Sequence, residues 1–283
     1  MNEIKSFQNK SETRVSFQGE RGAYSEEAAY KFFGNKISVR PCKEIPDVFE
    51  SVELGESDYG IVPVENSLEG IVNQTYDLLL QSPLKICGEI ILRIKHCLIA
   101  HPNTDINSIK AVYSHPQALA QCKNFLKKLG CKVIPFFDTA GSVKMIKEEK
   151  VYDGAAIAGK RAAEIYQMKI LIEGIEDQPN NYTRFFVLSK NSSPPTGDDK
   201  TSIVFSVKHV PGALYKALEE FAMRNINLTK IESRPTRIAP WEYNFYLDFE
   251  GHINEEKCKD AIEGLRRKSL FVKVLGSYPK AKP

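Results

Sequence analysis

The chain has 283 residues, 42 % hydrophobic and 27 % charged, with 39 Lys and Arg against 36 Asp and Glu and a formal net charge of +3. This composition excludes a disordered or fibrous chain. Charges of both signs are interspersed, so no basic stripe invites a phosphate backbone, and nucleic acid is not an expected partner.

The opening stretch, MNEIKSFQNKSETR, lacks the apolar segment of a signal peptide, and no run long enough to span a membrane follows. A cytoplasmic protein with no membrane partner is expected. From about residue 14 to 190, short Val- and Ile-rich runs alternate with helical patterns, the signature of βαβ units around largely parallel sheets. Strands are predicted at RVSFQ from Arg14, YGIVPV from Tyr59, KAVYS from Lys110, CKVIPFF from Cys131, GAAIA from Gly154 and TRFFVLS from Thr183. Helices are predicted at about 25–33, 44–54, 69–80, 116–129, 140–149 and 160–167, with Gly130 stopping the fourth.

His96 and His101 flank a strand-like run, CLIA, and offer little support for a metal site. Cys42, Cys87, Cys97, Cys122, Cys131 and Cys258 are scattered without a CxxC and read as reduced core residues. The segment KNSSPPTGDDK, residues 190–200, has no apolar residue and reads as a linker. It divides a domain over residues 1–190 from one over 200–283, with 191–199 between them. Beyond it, TSIVFSV, ALYKALEEFAMRN, strands at about 226–234 and 243–250, a helix at about 255–268 and FVKVLGSY give the order βαββαβ, a ferredoxin-like sandwich.

Four strand-to-helix junctions carry small polar residues: GERGAYS (19–25), ENS (65–67), SHPQ (114–117) and TAGS (139–142). In parallel sheets, ligands collect outside the C-terminal strand ends. Helix N-termini there offer free N–H groups and a positive dipole end to anions. One shared cleft, suited to a small carboxylated molecule, is expected. The same residues also fit ordinary helix starts. Ser114 with Gln117 matches a capping box and Pro116 a first turn, Ser25 precedes Glu26 and Glu27, and Gly22 suits a turn. The glycines at 19 and 22 fall short of GxGxxG, and there is no GxxxxGK[ST] loop, so no nucleotide cofactor is expected. In QPNNYTRFFVLS, strand alternation puts Thr183, Phe185 and Val187 on one face and Arg184 and Phe186 on the other. From pattern alone, Thr183 is a β-favouring residue at a strand edge and Arg184 a surface charge.

Taken together, GERGAYSEEAA, IVPVENSLEGIVNQTYDLL, YSHPQALAQC, DTAGSVKMI, AAIAGKRAAEIY and NNYTRFFVL resemble the prephenate dehydratase family in order and spacing, over nearly the whole chain from Arg14 to Tyr278. The second domain is similar to the ACT modules attached to these enzymes, with GALYKAL from Gly212 and IESRP from Ile231 matching their phenylalanine-binding motifs. The resemblance implies a catalytic domain like a type 2 periplasmic binding protein, two α/β lobes around a cleft. It implies the decarboxylating dehydration of prephenate to phenylpyruvate, with no metal or organic cofactor. It implies Thr183 as the main catalytic residue, supported by Asn66 and Gln117, and substrate contacts from Ser67, Ser114, Thr139, Ala140, Gly141, Tyr24 and Arg184. Phenylalanine, as feedback inhibitor, would meet Gly212, Ala213, Leu214, Glu232, Ser233, Arg234 and Pro235 between ACT modules paired in a homodimer or homotetramer. Tyr182 departs from the family, in which a smaller residue often precedes TRF, and is expected to alter the shape of the cleft. Arogenate dehydratases carry the same motifs, so the choice between pyruvyl and alanyl side chains stays open. A non-catalytic amino-acid-sensing protein is the more distant alternative, and the intact TRF, ENS and SHPQ stand against it.

Overall fold

The computed structural model describes residues 12–236 and 241–282. The chain runs β1 (Thr13–Gln18), α1 (Tyr24–Phe33), β2 (Ile37–Cys42), α2 (Ile45–Glu53), β3 (Tyr59–Asn66), β4 (Gly70–Ile71), α3 (Asn73–Gln81), β5 (Lys85–Arg93) and β6 (Cys97–Ala100). It continues through β7 (Ala111–Ser114), α4 (Pro116–Gln121), α5 (Lys123–Leu129), β8 (Lys132–Pro135), α6 (Thr139–Glu148), β9 (Gly154–Ala158), α7 (Lys160–Tyr166), β10 (Lys169–Glu173) and β11 (Tyr182–Ser189). The last part is β12 (Asp199–Ser206), α8 (Ala213–Ala222), β13 (Leu228–Pro235), β14 (Tyr243–Glu250), α9 (Glu256–Lys268) and β15 (Phe271–Pro279).

These elements form two compact units that do not follow the chain in blocks. One comprises residues 12–75 with 90–185, the other 76–89 with 186–282. Helix α3 and strands β5 and β11 each begin in one unit and end in the other.

The first unit has the two α/β lobes implied by the resemblance. The sheet of one lobe has the order β2-β1-β3-β11-β5, with β4 on the flank of β3. Its central strands are apolar on both faces, with Val15, Phe17, Ile61, Val62 and Val64 fully buried. Helix α2 shows why one face covers this sheet: Ile45, Val48, Phe49 and Val52 recur at helical spacing and are buried. A reciprocal cap between Glu44 and Asp47 starts that helix.

The other lobe has the order β10-β6-β9-β7-β8. Its core is Leu98, Val112, Leu119, Cys122, Leu126, Ala155 and Ile157. The sheet is mixed rather than largely parallel, since β7 runs parallel to β8 and β9 but β6 runs antiparallel to β9 and β10.

Two predicted helices change. The helix expected at 116–129 is broken at Cys122, whose φ of −115° and ψ of 22° leave the helical region. The helix expected from 69 begins at Asn73, because Gly70 and Ile71 pair back on Asn66 and Glu65 as β4. Strands β2, β5 and β10 were not predicted. Gly130 does end α5, in the left-handed conformation at φ 69°. All six cysteines are free thiols, five of them buried. Burial pushes the Cys87 thiol up to about 12 and the Cys97 and Cys258 thiols up to about 11.

The second unit carries the expected βαββαβ sandwich, an antiparallel sheet in the order β13-β14-β12-β15. Ile203, Phe205, Phe221, Leu247, Phe249, Ile262 and Leu265 form its core beneath α8 and α9. To this sandwich the unit adds the end of α3 and the start of β5. The ammonium of Lys273 donates to the carbonyls of Leu79, Leu80 and Ser82 at 3.0, 2.8 and 2.7 Å, capping the C-terminus of α3. The Tyr246 hydroxyl donates to the Tyr76 carbonyl at 2.9 Å. Gly276 in β15 lies so close to the backbone of Ile86 that any Cβ there would collide with it.

Candidate active site

Asn66, the last residue of β3, is 7 % exposed and organises the site. Its Oδ1 accepts the backbone N–H groups of Leu68 and Glu69 at 3.0 and 3.1 Å. Backbone amides only donate, so this end of the carboxamide is fixed as the acceptor and Nδ2 as the donor. Nδ2 faces the Thr183 Oγ1 at 3.0 Å, the Asn181 Oδ1 at 2.8 Å and the Tyr182 carbonyl at 3.2 Å. Ser67 fastens the same two segments together. Its hydroxyl donates to the Asn180 carbonyl at 3.0 Å and accepts the Tyr182 N–H at 2.9 Å.

The network continues into the other lobe. Asn181 is fully buried, and its Nδ2 donates to the Oε1 of Gln121 at 2.8 Å. Gln121 stands in the last turn of α4, and its Oε1 is also 2.9 Å from the His96 Nε2. On the opposite side of the imidazole, Nδ1 is 2.9 Å from the hydroxyl of Tyr24, the first residue of α1. Burial lowers the pKa of His96 below its ordinary value, against weaker upward pulls from its bond to Gln121 and from Glu176.

Of the residues singled out in the sequence, the structure therefore joins Thr183, Asn66, Ser67 and Tyr24. Among the described residues, Gln117, Ser114, Thr139, Ala140 and Gly141 are not joined to this network by a hydrogen bond. Ser114 is fully buried and its hydroxyl donates to the Ile157 carbonyl at 2.6 Å, so it does not cap α4. His115 does that instead, accepting the Gln117 N–H at 3.2 Å through Nδ1. Gln117 is exposed on the first turn of that helix. Thr139, Ala140 and Gly141 form the first turn of α6, where Asp138 accepts the Gly141 N–H at 2.6 Å. Burial raises the Asp138 pKa. Arg184 is half-buried beside Thr183 on β11.

The glycine loop has a structural task. At Gly22, with φ 91°, a Cβ would lie 2.7 Å from the Cα of Ala162 in α7, so only glycine permits the approach. In the second unit, Gly212 precedes α8 with φ 76°, and Ala213 and Leu214 open that helix. Glu232 and Arg234 are half-buried on the edge strand β13 while Ser233 and Pro235 are exposed. Arg234 lies 3.6 Å from Asp77 of α3.

Gln121, Asn181 and His96 are the members that sequence reasoning missed. Asn181 was noted only as a lead into its strand, and His96 only as the flank of another. Gln121 lies one helical turn beyond Gln117 and therefore on the same face, a signal that was available.

Comparison with known proteins bears on this arrangement. A family model described as prephenate dehydratase matches residues 15–193, and one for the ACT domain matches residues 201–267. A bifunctional chorismate mutase/prephenate dehydratase of Aquifex aeolicus is 46 % identical over 270 residues, covering 95 % of this chain and 74 % of that protein. An arogenate dehydratase/prephenate dehydratase of Arabidopsis thaliana is 46 % identical over 285 residues, covering 97 % of this chain and 74 % of that one. The crystal structure of a prephenate dehydratase from Arthrobacter aurescens in complex with L-Phe superposes with a TM-score of 0.87 at 33 % identity, covering 95 % of this chain and 90 % of that one. A structure described as a quorum quenching acylase has the same TM-score and identity, covering 95 % of this chain and 98 % of that one.

Proposed function

Because the chain belongs to the prephenate dehydratase family and carries an ACT domain, we propose that this lyase acts on prephenate, releasing CO2 and water to leave phenylpyruvate. In that reaction the C–C bond to the ring carboxylate breaks and its electrons pass through the ring. The C–O bond opposite then breaks, and the hydroxyl leaves as water once protonated. Aromatisation drives the step, so the protein must hold two carboxylates and assist a departing oxygen.

The observation that carries the reading is the direction of the bond between Asn66 and Thr183. With Nδ2 of Asn66 donating, Thr183 Oγ1 is the acceptor and its own proton remains free to donate. A threonine hydroxyl is too weak an acid to protonate the leaving group alone, so Thr183 acts by hydrogen bonding to it. Thr183→Ala is expected to cut turnover by roughly 10² or more. Phenylpyruvate formation from prephenate, followed by absorbance in alkali, reads this directly, and near-normal turnover would remove Thr183 from the mechanism. In this reading Gln117 supports Thr183 and Thr139 contacts the substrate.

The name of the Arabidopsis relative favours a second reading, in which arogenate is the substrate. Phenylalanine formed from arogenate, with no product from prephenate, would establish it. The L-Phe bound to the Arthrobacter protein supports phenylalanine as effector at Gly212 to Leu214 and Glu232 to Pro235. Paired ACT modules in a cytoplasmic dimer or tetramer complete the proposal.

A further inference from the structure

We propose that His96 is a positioning residue for the reaction: its Nε2–H fixes the Gln121 carboxamide and, through Asn181, the placement of the Asn66–Thr183 pair. The inference rests on the Thr183 reading given above and deepens it.

The direction of each bond follows from the one before it. The N–H groups of Leu68 and Glu69 make Asn66 Oδ1 an acceptor, so Asn66 Nδ2 donates to Asn181 Oδ1. Asn181 must then donate from Nδ2, which makes Gln121 Oε1 an acceptor. An acceptor on Gln121 requires a proton on His96 Nε2. With Nε2 protonated, Nδ1 of the neutral ring is an acceptor 2.9 Å from the Tyr24 hydroxyl, whose proton it shares with the Lys95 carbonyl at 3.0 Å. His96 is 2 % exposed, so water cannot substitute for the ring.

The chain runs from two backbone amides to a phenol, and donors converge on the Gln121 Oε1 from both sides. Its open end is the Thr183 O–H, a donor where a departing hydroxyl requires one, while the Gln121 Nε2 donates to the Glu69 Oε1 at 3.5 Å. Without His96 the Oε1 of Gln121 loses one of its two donors, and the carboxamide is held only by Asn181 and by a 3.5 Å bond from its Nε2 to Glu69. Asn181 then loses a fixed partner, and the Asn66–Thr183 pair it braces shifts from its position, although the backbone amides keep Nδ2 of Asn66 toward Thr183.

The test compares His96→Leu, which keeps bulk but no donor, with His96→Gln, whose carboxamide restores one. His96→Leu is expected to lower kcat by on the order of 10²-fold with little change in KM, as for a small misplacement of the reacting groups. His96→Gln is expected to recover most of that loss, and His96→Leu combined with Thr183→Ala to be no slower than Thr183→Ala alone. Nitrogen NMR of the histidine-labelled wild-type enzyme is expected to show the neutral ring with its proton on Nε2. A proton on Nδ1 overturns the proposal even if His96→Leu does not fold. So does wild-type kcat in folded His96→Leu, or a loss confined to KM, while Thr183→Ala is inactive. Wild-type turnover in Thr183→Ala overturns instead the reading on which the proposal rests.

Discussion

At the scale of the residue, Asn66 matters for which end of its side chain faces Thr183. Asn66→Asp keeps the size and both backbone bonds, yet presents an acceptor where Nδ2 donated. Thr183 would then donate inward and be lost to the substrate. Turnover of Asn66→Asp is expected to fall by roughly 10² or more, comparable to Thr183→Ala, and a rate near wild type in the phenylpyruvate assay would show that donor direction is irrelevant. Thr183 and Asn66 were legible in the sequence through TRF and ENS. His96, Gln121 and Asn181 were not, because a histidine beside a strand and a glutamine at a helix end gain meaning only when two lobes bring them within 3 Å. The capping-box reading of Ser114 failed for a similar reason. Its hydroxyl found a carbonyl on the adjacent strand, a partner remote in sequence.

At the scale of the element, strongly patterned segments were readable and interrupted ones were not. Strand β2 contains Arg40 and Pro41 and lies at a sheet edge, where proline is tolerated but the apolar pattern is lost. Strand β5 is broken in pattern by Gly88 and Glu89. The break at Cys122 divides what reads as one amphipathic helix and ends α4 at Gln121, at the lobe junction. The glycine of β15 belongs to the same class of hidden constraint. Gly276→Ala would drive a methyl group into the Ile86 backbone, which cannot yield as a flexible side chain can. A destabilisation of about 1–3 kcal/mol is expected, visible as a lower urea midpoint, and an unchanged midpoint would show that the strands part without cost.

At the scale of the whole molecule, helix α3 begins seven residues after Asn66 and ends in the unit that carries the ACT sandwich. Asp77, in the middle of that helix, lies 3.6 Å from Arg234 of the ESRP motif. In the proposed reading phenylalanine meets that motif, which makes the Asp77–Arg234 pair a contact of the effector site. Asp77→Asn is expected to raise the phenylalanine concentration for half-inhibition by about 2- to 30-fold while leaving uninhibited turnover intact. Unaltered inhibition would place Asp77 outside the effector site.

The membership of residues 76–89 in the second unit also sets a timetable for synthesis. Ile86 leaves the ribosome about 190 residues before Gly276, the residue against which its backbone packs. At ordinary rates of elongation this is roughly 10 to 40 seconds. During that interval Leu79, Leu84 and Ile86, all buried in the finished protein, have no completed surface to cover them. The second unit can therefore close only once the last strand has emerged.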